Sequence, residues 1–198
     1  MKLNNYYNEL PENFKEIYVV DAKNKKTSVL FVIYSFILTI LVFIATYFIT
    51  HLVKPIKIEV IDSKFFIAYF VFLIAMLLYI VLHELTHGIV YYIMTKQKLT
   101  YGFTLTVAFC GVPHIYVNKK TALLAVLAPF VVYTVVFVTL IILLQNSFYV
   151  LLAIILFAIH FGGCIGDLWC TWILLFKIKE SCLMNDTGPK QTFYIEEK

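Results

Sequence analysis

The chain has 198 residues, 62% of them hydrophobic and 14% charged, with a formal net charge of +4. Several apolar runs exceed the length of about 18 residues that marks a spanning helix, which excludes an ordinary water-soluble domain. The positive balance comes from lysine alone, and no basic stretch carries interleaved aromatics, so nucleic acid is excluded as a partner.

Residues 1–26 read as a polar N-terminal tail. Thr27 to Thr50 is the first spanning run; it sits behind that tail and lacks a small-residue cleavage site, so it predicts a retained helix rather than a signal peptide. Phe65 to Met94 predicts a second span, and it carries His83-Glu84-Leu85-Thr86-His87. Positions i and i+4 share one helical face, so His83 and His87 can offer two imidazole nitrogens to one metal ion, with Glu84 beside them as a general base.

The segment after this span alternates from Leu99 to Phe109 with a period of two, which predicts a strand. A turn at Cys110 to Pro113 and a second strand at His114 to Val117 would complete a hairpin. An exposed edge at Thr104, Leu105 and Thr106 would let an extended substrate add a strand. Thr121 to Leu144 predicts a third span, interrupted by Pro129, and Ser147 to Phe176 a fourth, holding His160, Gly162, Gly163, Gly166 and Asp167. Residues 179–198 read as a second polar tail, leaving 27–178 as one polytopic domain.

The predicted fold is therefore an all-α integral membrane protein of about four transmembrane helices, with a short cytoplasmic-side β-hairpin between helices two and three. Thirteen lysines fall on the side shared by both tails and Lys96 to Lys120, against Lys54, Lys57 and Lys64 on the other, which predicts cytoplasmic termini. The four cysteines form no Cys-x-x-Cys pair and read as small apolar side chains rather than a disulfide framework.

Of the 12 acidic residues, Glu84 and Asp167 alone fall inside spans, where a carboxylate costs about 3 kcal/mol and needs compensation. By helix rise, His87 lies about 13 Å inside the boundary set by Lys96, Asp167 about 15 Å inside Lys177, and Pro129 about 13 Å inside Lys120. One layer thus gathers the exceptional residues of three helices. Two neutral imidazoles and one carboxylate leave a fourth zinc position open for water, as a catalytic site needs. Asp167 is the first choice for that carboxylate; His160, about 10 Å deeper on the same face, is the competing third ligand or an outer partner. Gly162 and Gly166, with Gly163 between them, and Gly88 after His87 predict a close approach of helices two and four. Pro129, Gly163 and Gly166 are the other candidates for a supporting or substrate-binding role.

The His83-Glu84-Leu85-Thr86-His87 helix, Ala128-Pro129 within a later span and Gly166-Asp167 in the last resemble a family of small bacterial membrane proteins of zincin-peptidase type. More distantly they are similar to the site-two proteases, over roughly Phe65 to Phe176. Ala128 stands where those proteases have glycine, Val132 where they have asparagine, and Gly166-Asp167-Leu168 departs from their Asp-Gly order. The resemblance implies one zinc ion held by His83, His87 and Asp167, Glu84 as base, and a multi-pass protein of the bacterial cell membrane. The implied activity is intramembrane cleavage of a membrane-protein substrate, in a monomer or in each half of a homodimer. Two other readings of the residues stay open. A metal transporter would need a second polar cluster toward the outer face, and a zinc-stabilised scaffold or immunity-type protein would have no use for Glu84.

Overall fold

The computed structural model describes residues 4–57, 63–104 and 107–197. In chain order the elements are β1 (Tyr6–Tyr7), β2 (Phe14–Asp21), α1 (Lys25–Val53), α2 (Ser63–Thr95), β3 (Thr100–Phe103), β4 (Ala108–Gly111), β5 (Tyr116–Asn118), α3 (Lys119–Leu143), α4 (Ser147–Gly163), α5 (Ile165–Trp172, continued by a π turn at Ile173–Lys177), β6 (Cys182–Asp186) and β7 (Lys190–Glu196). Asparagines start three helices. Asn24 accepts from the Lys26 and Thr27 amides, Asn118 from Thr121, and Asn146 from Phe148 and Tyr149.

α1, α2 and α3 are each long and apolar enough to cross a membrane, and α4 with α5 makes a fourth candidate, bent by 44° at a short break. α1 has no buried residue at all, although it is strongly apolar. The break corrects the expectation of one continuous fourth span: the chain leaves α4 at Gly163 and restarts a helix at Ile165.

The chain divides into two compact units. The first comprises Met1–Phe31, His83–Pro129 and Gly166–Lys198. It contains a five-stranded antiparallel sheet in the order β1-β5-β6-β7-β2 and the separate β3-β4 hairpin. Its core joins sheet to helices through Tyr91, Val117, Ala125, Leu174, Met184 and Phe193. Here the all-α expectation is overturned. Both terminal segments, which read as polar tails, supply strands, since Phe14, Ile17, Val20, Leu183, Phe193 and Ile195 give them an apolar face beneath the charges. A β-bulge between Glu16 and Tyr18 breaks the period of two in β2 and hides that face from a pattern search.

The hairpin also differs from its prediction. The alternating run folds back on itself, pairing Thr100 with Gly111 and Phe103 with Ala108, instead of running straight to Phe109. Thr104 closes the reversal: its amide donates to the Val107 carbonyl at 2.8 Å, and its hydroxyl accepts from the Val107 amide at 3.0 Å. Directly paired residues share a face, and Phe103 pairs with Ala108, so the apolar residues of β3 and those of β4 lie on opposite faces of the hairpin, and a period of two in the sequence does not show where the chain reverses. Thr104 therefore lies at the turn, while Leu105 and Thr106 fall outside the described residues. The turn expected at Cys110 to Pro113 is partly β4, and the strand expected at His114 to Val117 is β5 of the larger sheet. Gly111 is required where it stands, because a Cβ there would run into the Gly188 amide and lie 2.8 Å from the Asp186 carbonyl.

The second unit comprises Val32–Leu82 and Phe130–Ile165. Tyr79, Phe137, Ile141, Val150, Ile154 and Phe157 form its core. Gly162 is the close-approach glycine of this unit, but its neighbour is α1: a Cβ would strike the Thr39 hydroxyl and come within 2.8 Å of the Ser35 carbonyl. The nearest atom to a Cβ on Gly163 would be 4.0 Å away, and on Gly166 3.9 Å, so neither is needed for packing. Gly88 makes room for the β3-β4 hairpin, with the Tyr101 hydroxyl and Leu99 against it. The glycines thus admit α1 and the hairpin, not the mutual approach of helices two and four that their spacing predicts.

Candidate metal centre

One stripe of α2 carries His83, His87 and Tyr91, each a turn apart, and both histidines are buried at 7% exposure. Their ring centroids lie 5.0 Å apart, and ligand atoms of His83, Glu84 and His87 all lie within 4.8 Å of one another. Asp167 enters from α5. One carboxylate oxygen is 3.2 Å from His83 Nε2 and the other 3.5 Å from His87 Nε2. Asp167 sits in the first turn of α5, so the break after α4 sets the positive end of a helix dipole beside this carboxylate.

These spacings suit a metal ion. Ligands held about 2.0–2.1 Å from a tetrahedral zinc are separated by about 3.3 Å. The protonation pattern also calls for a cation: His87 Nδ1 donates to the Ala125 carbonyl at 2.8 Å, which turns the Nε2 lone pair of a neutral ring toward the Asp167 carboxylate. Two acceptors facing each other in a buried site need a proton or a metal between them. His83, His87 and Asp167 therefore fit zinc, with Glu84 adjacent on the motif helix.

His160 belongs to the second unit and is fully buried there. Its Nδ1 meets the Tyr79 hydroxyl at 2.8 Å, and its Nε2 lies 3.2 Å from both the Thr134 hydroxyl and the Phe130 carbonyl. Phe130 stacks on the ring, and Tyr133, Phe137 and Phe161 surround it. This is the environment of a hydrogen-bonded core histidine.

Two histidines and a glutamate on one helix, with an aspartate delivered by another, make a zincin-type donor set. The chain belongs to the family described as "Putative zincin peptidase", whose model matches residues 76–182, a stretch that includes the whole donor set. No curated protein and no solved structure matches the chain. The family points to a zinc metallopeptidase.

Sequence reasoning missed the support behind the site. Tyr91 is 1% exposed and donates to Asp186 at 2.6 Å; Asp186 also accepts from the Gly188 amide at 2.8 Å and from the Gln191 side chain at 3.3 Å. The C-terminal strands are thereby fastened to the motif helix one turn beyond His87. The i+4 spacing of His87 and Tyr91 was the available signal. Nearby, burial pushes the Cys110 thiol up to about 12, and Cys182 to about 11, so both are inert structural thiols.

Burial pushes the Asp186 carboxyl up to about 6 from 3.8, against the opposing pull of Tyr91, the Gly188 amide, His87 and Gln191. A native value above the unfolded one means that the stabilising contribution is fully present below 3.8 and is lost as pH rises through about 6. That loss amounts to about 3 kcal/mol. In metal-free protein, Asp186→Asn is expected to flatten the stability profile between those values and to exceed the wild type by up to about 3 kcal/mol at neutral pH. Thermal unfolding in detergent across that range measures it. A variant less stable than wild type at neutral pH would show that the Tyr91 and Gly188 hydrogen bonds to a charged oxygen outweigh desolvation.

Proposed function

We propose that this protein is an intramembrane zinc endopeptidase that hydrolyses a peptide bond in or near a transmembrane segment of another membrane protein. The observation that carries the reading is the Asp167 carboxylate lying across both Nε2 atoms of the motif histidines, with a base-capable glutamate next to them. One zinc per chain is held by His83, His87 and Asp167. When bound, it polarises the scissile carbonyl and lowers the pKa of a water toward about 7. Glu84 takes the proton from the attacking water and returns it to the leaving amine.

The membrane reading rests on the length and hydropathy of the helices and on their flanking residues. Lys96 lies over the Tyr92 ring and Lys177 over Trp172, which stacks near Trp169, an arrangement suited to the headgroup level on the side shared by both termini. Both termini are assigned to the cytoplasm. All three ligands come from one chain, so a homodimer is not required for the site.

Substrate docks as an added strand on β3. The Thr104–Val107 backbone bond fixes the hairpin phase, so the N–H and C=O groups of Tyr101 and Phe103 point to the edge away from β4. No strand pairs with that edge among the described residues. Tyr101 packs against Gly88, one turn from Glu84, which places the edge near the base. Strand addition also exposes the scissile bond of a segment that would otherwise hide its carbonyls in a helix, so substrates rich in weak helix formers are favoured.

The test is metal content and cleavage of a model transmembrane substrate by purified protein, alongside Phe103→Pro. Proline at 103 removes an outward N–H and no hairpin bond, so the variant should keep zinc and lose most cleavage. Full cleavage by Phe103→Pro would move the docking strand elsewhere. Zinc-bound wild type that cleaves no membrane substrate would instead favour a zinc-stabilised scaffold.

A further inference from the structure

We propose that Pro129 is a positioning residue of the metal site, acting by the absence of its N–H. The proposal rests on the zinc reading above and gives this proline a specific role within it. In an α-helix residue i donates to the carbonyl of residue i−4, so the natural partner of the Ala125 carbonyl is the amide of residue 129. Proline has no such amide, and its ring crowds the carbonyl four residues back. Ala125 is fully buried, and a carbonyl left there without a partner would be destabilising. The partner that it takes is His87 Nδ1, at 2.8 Å.

This bond selects the ring's tautomer. A neutral imidazole has one N–H; with that hydrogen committed to Ala125, the lone pair lies on Nε2, the nitrogen 3.5 Å from Asp167. The same bond fixes the ring plane, so a backbone carbonyl of α3 does for His87 what an outer carboxylate does in other zinc sites. A proline needed only to bend α3 would work equally well one residue earlier or later. A proline needed to release the Ala125 carbonyl works only at 129. The helix therefore gives up one of its own hydrogen bonds at the level of the ligand that requires it.

Zinc affinity, measured by chelator competition on full-length protein in detergent, tests this with two substitutions at one position. Pro129→Ala restores an N–H four residues after Ala125. Replacement of Pro129 by lactic acid gives the same methyl group with an ester oxygen in place of the N–H. Pro129→Ala is expected to bind zinc about 10- to 100-fold more weakly than wild type, the loss typical of a removed outer-shell partner. The ester variant should recover most of that affinity, since the Ala125 carbonyl is again without a helical donor. Equal weakening in both variants would assign the effect to the proline ring or the bend and overturn the proposal. So would wild-type affinity in Pro129→Ala, even if His87→Ala fails to bind and the zinc site stands. Absence of zinc binding by the wild type would remove the metal reading, and this inference with it.

Discussion

Glu84→Gln is expected to lower peptide-bond hydrolysis by at least about 100- to 10,000-fold, the range supplied by a positioned general base, while zinc content stays at the wild-type level. Glutamine preserves the shape of the side chain and its helix propensity, but it cannot take a proton from water. The separation between chemistry and binding is read from the distances: Asp167 sets one oxygen 3.2 Å from His83 Nε2 and the other 3.5 Å from His87 Nε2, whereas Glu84 lies on the motif helix with a carboxylate oxygen within 4.8 Å of ligand atoms of both histidines. Cleavage of a model transmembrane substrate and metal analysis on the same preparations measure both quantities. Retained hydrolysis would place the base on another group, and zinc lost together with activity would make Glu84 a ligand.

The candidate ligands are legible in the sequence because two independent constraints act on them. Residues i and i+4 share a helix face, which pairs His83 with His87, and the cost of charge in hydrocarbon makes Asp167 stand out. Counting residues from flanking lysines placed Asp167 level with His87, and the two meet at 3.5 Å. The long helices are legible because their apolar runs are long enough to cross a membrane. The structure departs from the sequence reading where local pattern and environment separate. Lys15 and Glu16 make β2 look like solvated tail, although Val20 two turns of alternation later is buried, and a bulge between them scrambles the period. Asp186 looks like an ordinary surface acid, yet it is 3% exposed and tied to Tyr91. Gly162 and Gly166 have the spacing of a helix-packing motif, but only Gly162 is pressed, and by α1. Ala125 contributes through its carbonyl, and nothing about an alanine side chain reports that; the proline four residues later does.

Removing Asp167 should have the largest effect on metal binding. The Asp167 carboxylate lies across both imidazoles, so Asp167→Ala takes away the negative charge that this pair of contacts would set against a bound ion. The loss of affinity should exceed the 10- to 100-fold attached to outer partners, by order of magnitude about 100-fold or more. Linkage converts this into stability. At a free zinc concentration 1,000 times the wild-type Kd, binding stabilises the native wild type by about 4.1 kcal/mol; a Kd raised 100-fold leaves a ratio of 10 and a stabilisation of about 1.4 kcal/mol. The zinc-dependent shift in thermal unfolding should therefore shrink by about two thirds or more in Asp167→Ala. His160→Ala is the discriminating companion. It removes a core imidazole hydrogen-bonded to Tyr79 and ringed by aromatics, so it should lower stability with and without zinc and leave the size of the zinc shift unchanged. The reverse outcome, a full zinc shift in Asp167→Ala and none in His160→Ala, would transfer the third ligand to His160 and leave Asp167 as the ion-pair partner of the two histidines.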